Sequence, residues 1–173
     1  MRIMEGWELG AESCESNKKS LWLLVEALSL LSQGFVVRPA FGTLLGLYRD
    51  GRLIPHDTDI DLNIYINQWE DVEKIKSLVK QHLGMNGYVL VLEDTCQIVF
   101  TKYGSLPVDI CIFKQFGNSY LCPHMCGTFE LPENVVDNPE VFLVKIYGDD
   151  WRTPRRDGGH SERAWLHGDG VTR

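Results

Sequence analysis

Apolar and polar positions alternate with different periods along the chain, and the period changes mark its elements. Leu21, Leu24, Val25, Leu28 and Leu31 recur at helical spacing, behind Ser16 or Asn17 as an N-cap and ahead of Gly34 as a stop. Phe35 to Pro39 reads as a short strand, and Gly42-Thr43 opens a short helix through Leu44, Leu45 and Tyr48. After a turn at Arg49-Asp50-Gly51, the stretch Asp59–Ile66 alternates acidic or polar with apolar residues, which is the period of a strand. Gln68 to Leu83 predicts an amphipathic helix with Val72, Ile75 and Leu78 facing inward, closed by Gly84 and Gly87.

The segments YVLVLE, CQIVFTK and VDICIFK predict three strands, with turns at Asp94-Thr95 and Tyr103-Gly104-Ser105, and NSYLC predicts a further strand. A stretch containing Gly and Pro then leads to ENVVDNPEVFLVKIYG, a helix with Asn138 as cap, Pro139 at its first position and Gly148 as its end. Helices alternate with strands and a meander follows. This order predicts an α/β (α+β) fold with a mixed, twisted sheet flanked by helices, not a doubly wound parallel one. The P-loop pattern and G-x-G-x-x-G are both absent. One domain is expected over 1–173, with 1–16 as an N-terminal extension and 157–173 as an irregular C-terminal tail on which Trp165, like Trp151 before it, packs.

The chain has 173 residues, with 17 Lys and Arg against 24 Asp and Glu, a formal charge of −7. Such an acid excess argues against general nucleic-acid binding and against a membrane-surface protein. No apolar run reaches the length of a membrane span, and the N-terminus lacks the apolar core of a secretory signal, so membrane insertion is not expected. Five cysteines at loose spacing, an odd number, argue against a disulfide framework and for a reducing, cytoplasmic setting. Cys122, His124 and Cys126 lie close together, but C-x-H-x-C is not a standard zinc spacing, and ordinary loop residues are the expected reading.

The chemistry concentrates in FGTLLGLYRDGRLIPHDTDIDLNI. On a strand, Asp59 and Asp61 share one face while Ile60 and Leu62 take the other. A second segment, LPVDICIF, places Asp109 between Val108 and Ile110 in the same manner. Aspartate is depleted in strands, and converging carboxylates repel unless something compensates them. Polar residues on the wet face of an edge strand would give the same pattern without chemistry. A hard divalent cation gives it a purpose: Asp59, Asp61 and Asp109 form a candidate Mg²⁺ site, with Mn²⁺ as a substitute, able to share the ion with substrate phosphates. Gly42 and Thr43 precede a helix, where free backbone N–H groups and the lack of a side chain suit a phosphate. Arg49, Arg52 and His56 flank the site and are candidates for phosphate charge neutralisation, with His56 open also as a base or a spectator.

The order Gly-Thr, helix, Asp-x-Asp on a strand and a third acid on a later strand resembles the nucleotidyltransferase fold of the DNA polymerase beta superfamily. More closely, FGTLLGLYRDGRLIPHDTDIDLNI, LPENVVDNPEVFL and KIYGDDWRTP together resemble the LicD and fukutin-related family over about residues 20–156. His56 stands where that family commonly has an aromatic, and Thr58 where it has another Asp. The chain is also shorter than typical members.

The resemblance implies a Mg²⁺-dependent transferase. It would move a phosphocholine- or alditol-phosphate-like group from a CDP-activated donor to a hydroxyl of a glycan or small molecule. Gly42 and Thr43 would bracket the donor phosphates, Asp59 and Asp61 would bind metal, and Asp109 would be the third carboxylate, close to the acceptor hydroxyl. Two rival readings stand beside it. One is an NTP-dependent nucleotidyltransferase acting on a small molecule. The other is a catalytically silent nucleotide-binding or zinc-stabilised interaction module.

Overall fold

The computed structural model describes residues 34–55, 57–85, 87–102, 106–124 and 127–154, together with Trp22, Val25 and Ser29, which are helical. The rest of the first predicted helix, the turn at 103–105, and the tail with Trp165 lie outside the described residues.

Alternation sets the sheet. In β2 (Ile60–Ile66) the residues Ile60, Leu62, Ile64 and Ile66 are all buried on one face, and Asp61, Asn63 and Tyr65 occupy the other. β5 (Val108–Phe116) repeats the arrangement, with Val108, Ile110 and Ile112 buried and Asp109 and Cys111 on the opposite face. β1 (Val36–Pro39) pairs antiparallel with β2, and β2 runs parallel to β5. β4 (Gln97–Thr101) pairs antiparallel with β5, and β3 (Val89–Glu93) forms the edge beyond it. β6 (Ser119–His124) pairs with the far end of β5 and with β7 (Gly127–Pro132). The described residues thus form a mixed sheet of seven strands in an α/β architecture, not closed into a barrel.

The helices α1 (Phe41–Asp50), α2 (Glu70–Met85) and α3 (Pro139–Tyr147) flank it. Asn138 caps α3 as expected, accepting a hydrogen bond from the Glu140 N–H at 3.1 Å. The shared core takes Val72, Ile75, Val79 and Leu83 from α2, and Phe142, Leu143 and Ile146 from α3. Each such buried aliphatic contributes about 1.5–3 kcal/mol.

Two expectations change. Leu78 was placed inward and is 44% exposed. The inward stripe runs through Val72, Ile75, Val79 and Leu83, and at about 100° per residue Leu78 falls on its shoulder. GTFELP, passed over because it holds Gly and Pro, is strand β7; its proline is the last residue, where a missing N–H is tolerated. The helix begins at Pro139 as expected, and the residues ahead of it, Glu133–Val136, form a 3₁₀ turn.

Candidate functional site

The site is assembled where β1 ends and α1 begins. Ala40 donates its N–H to the Asp61 carbonyl at 3.0 Å, which fixes the start of α1 against the start of β2. Phe41 takes a positive φ of 38° at the head of α1, a conformation that non-glycine residues rarely adopt. Its ring is held by Phe142 at 5.3 Å and Phe129 at 6.1 Å. Thr43 is fully buried, and its Oγ1 accepts the Asp61 N–H at 2.9 Å. Both bonds run from the Gly-Thr region to Asp61, so this short stretch positions the acidic strand.

Asp61 and Asp109 face each other in register across the parallel β2–β5 pair. Adjacent strands lie about 4.8 Å apart, and paired residues project to the same side. The two carboxylates therefore belong to one face of the sheet. Burial first, and then Asp59, Asp109 and Asp57, push Asp61 up to about 8, while a hydrogen bond from the Gly42 N–H acts the other way. Four carboxylates from two segments thus share one electrostatic environment. Asp109 is steadied by Gln97 of β4, whose Nε2 donates to Oδ2 at 2.7 Å.

Gly42 is needed sterically. A methyl group there would overlap the Asp57 carboxylate. The notch above Gly42 therefore holds an anionic group, the side chain of Asp57, and the Gly42 N–H meets another, Asp61.

The remaining sequence candidates separate. Arg49 is clamped to Asp50 by two hydrogen bonds, Nε to Oδ1 at 2.9 Å and Nη2 to Oδ2 at 2.7 Å. Arg52 is exposed on the turn after α1. His56 lies outside the described residues, as do Cys126 and the side chain of His124. Cys122 is buried, with Sγ 3.9 Å from the Cys96 carbonyl oxygen. Sequence reasoning missed two neighbours of the site. Gln97 gave no signal, since it reads as an ordinary strand residue. Tyr147 lay within the KIYGDDWRTP segment but was assigned no role. Burial, Asp61 and Asp57 raise its phenol, Arg49 lowers it, and Asp59 adds to the rise. It therefore stays protonated beside the acids.

Among the described residues no three His, Cys, Asp or Glu side chains already form a metal cage. The donors that do gather are hard carboxylate oxygens, the type that suits Mg²⁺ or Mn²⁺ rather than zinc. A cavity of about 260 Å³ opens between β1, α1 and α3, walled by Arg38, Leu44, Tyr48, Tyr65, Asp137 and Phe142 among others; Asp57, Asp59, Asp61 and Asp109 are not in its wall.

Residues 39–140 match the family model described as LicD/FKTN/FKRP, nucleotidyltransferase domain. The chain belongs to the LicD family. The matched span runs from the end of β1 to the first turn of α3, so it contains Gly42, Thr43, all four aspartates and Gln97, and it stops short of Tyr147. No curated protein matches the chain. Family membership makes it an enzyme of the transferase class with a phosphotransferase-like role. No helix among the described residues is long and apolar enough to cross a membrane.

Proposed function

We propose that this LicD-family chain is a Mg²⁺-dependent transferase. It moves a phospho-group of the phosphocholine or alditol-phosphate kind from a CDP-activated donor to a hydroxyl of a glycan or small molecule, in the cytoplasm. The observation that carries this reading is the in-register pair Asp61 and Asp109 on one sheet face, beside Gly42 and Thr43.

Carboxylate oxygens of Asp59, Asp61 and Asp109 would hold the ion. Held there, Mg²⁺ would supply positive charge against the negative charge that develops on the transferred phospho-group. The acceptor oxygen attacks phosphorus, the bond from phosphorus to the oxygen of CMP breaks, and Asp109 takes the acceptor proton. Gln97, hydrogen-bonded to Asp109, orients that carboxylate toward the acceptor. Thr43 and Gly42 act on Asp61, through its N–H and its carboxyl group respectively, and set it for the ion. Catalysis of this kind is positioning and electrostatics, with no covalent enzyme intermediate.

The test is a donor screen with Mg²⁺ that reads the released nucleotide. CMP from CDP-linked donors, together with a modified acceptor, is the expected result. Pyrophosphate released from an NTP would favour a nucleotidyltransferase instead. Release of neither, with no binding of CDP, would overturn the reading.

A further inference from the structure

The cavity between β1, α1 and α3 is separate from the acidic residues, and its wall is chemically mixed. Pro39, Leu44, Val135 and Phe142 are its buried apolar part. Arg38 stands in the same wall, half-buried. Its Nε donates to the Val136 carbonyl at 2.9 Å and its Nη1 to the Val37 carbonyl at 3.0 Å, so it braces the 3₁₀ turn against β1. Neither bond needs a charge, because a neutral amide donor makes the same contact. Among the described residues Arg38 has no ion pair, and its Nη2 makes no hydrogen bond. Asp137 also belongs to the wall, but it is exposed and does not pair with Arg38.

A second donor stands in the same wall. Tyr65 is buried, and its Oη accepts the Asn63 Nδ2 at 3.2 Å, which leaves its own O–H to donate. A half-buried guanidinium that meets only neutral carbonyls lacks a counter-charge, and burying charge without one is costly. The planar fork of an arginine matches a carboxylate. Apolar walls with a few placed polar groups are the ordinary make-up of a small-molecule site. The volume of about 260 Å³ exceeds the roughly 150 Å³ in which an apolar cavity takes up benzene, so a ring and a carboxylate both fit.

We propose that this cavity binds a small organic anion, a carboxylate carried on an apolar body of one ring's size. Arg38 and the Tyr65 hydroxyl hold the carboxylate, and the body lies against Leu44 and Phe142. The site is distinct from the acidic one and does not rest on the transferase reading.

Titration of the full chain with benzoate, and with benzamide as its neutral counterpart, tests the site through amide chemical shifts, in the absence of Mg²⁺. Millimolar benzoate should shift the amides of Arg38, Leu44, Val136 and Phe142 to saturation. Benzamide should bind at least tenfold more weakly, as loss of a hydrogen bond between charged groups requires. Arg38→Gln should weaken benzoate at least tenfold and leave benzamide unchanged. Equal affinities for the two probes in the wild type overturn the proposal. So does benzoate that leaves those amides unmoved, and so does wild-type benzoate affinity in Arg38→Gln. Should Arg38→Gln not fold, Tyr65→Phe decides. It keeps the ring and removes the hydroxyl, so its preference for benzoate over benzamide should fall severalfold, and an undiminished preference overturns the proposal.

Discussion

Asp61 of β2 and Asp109 of β5 are register partners in a parallel strand pair, so two carboxylates far apart in sequence project from one face of the sheet. With Asp57 and Asp59 acting on the same group, Asp61 is held in a crowded acidic environment. That crowding opposes folding unless a cation compensates it. Asp61→Asn and Asp109→Asn are therefore expected to have opposite effects on stability and activity. Each should raise the melting temperature of the cation-free protein, and each should lower transfer by at least about 100-fold. Parallel melting curves and steady-state assays with excess Mg²⁺ check both. Turnover near wild type in either variant removes that residue from the mechanism.

The same crowding sets a pH dependence. The Asp61 carboxyl is raised from an ordinary 3.8 to about 8 in the folded chain. Between those values the folded state keeps a proton that the unfolded state has released. The stability this proton linkage contributes is full below the unfolded value and is lost as pH rises through about 8. Melts of cation-free protein from about pH 5 to about pH 9 should thus fall more steeply for wild type than for Asp61→Asn. Added Mg²⁺ should narrow the gap, because an ion bound only to the folded state stabilises it by mass action. Identical pH slopes in the two proteins would show that Asp61 is not the group under strain.

Gly42 gives a steric test. Its missing side chain makes room for the Asp57 carboxylate, which a methyl group would overlap. Gly42→Ala is expected to destabilise the fold by about 1–3 kcal/mol through overpacking. The double variant Gly42→Ala with Asp57→Ala should recover most of that loss, a coupling that a double-mutant cycle reads directly. Additive effects would place the cost elsewhere, in the strained entry to α1 at Phe41.

The strands, the acidic face and the mixed sheet were legible because a period of two survives without tertiary context. Ile60 and Leu62 could be placed inward and Asp61 on the opposite face from alternation alone. What the alternation could not supply was which strands are neighbours. The parallel pairing of β2 with β5, which brings Asp109 to Asp61, is settled by the whole core. Leu78 was misplaced because two helical faces fit the same apolar residues, and only packing chooses Val79 and Leu83. β7 was hidden by a proline that turns out to lie at its last position. Among site residues, the role of Arg49 as a phosphate ligand looked open in sequence, where the adjacent Asp50 was an unremarked turn residue. The structure pairs the two side chains twice. Thr43 was read as a phosphate neighbour, and its hydroxyl proves to be tied to the backbone of the acidic strand.

That last bond yields a prediction that separates packing from hydrogen bonding. Thr43 is fully buried and its Oγ1 accepts the Asp61 N–H at 2.9 Å. Thr43→Val keeps the shape and removes the acceptor, leaving a part-buried N–H without this partner at a cost of about 1–3 kcal/mol. Thr43→Ser keeps the acceptor and loses one methyl, at a cost of about 1 kcal/mol. If the bond positions Asp61, Thr43→Val should melt lower than Thr43→Ser and lose most of its transfer activity, with Thr43→Ser within a few-fold of wild type. If shape alone matters, the order reverses, because valine is the better steric match. Denaturant melts and kcat measured on the same preparations distinguish these outcomes, since only the hydrogen-bond account couples the larger loss of stability to the larger loss of turnover.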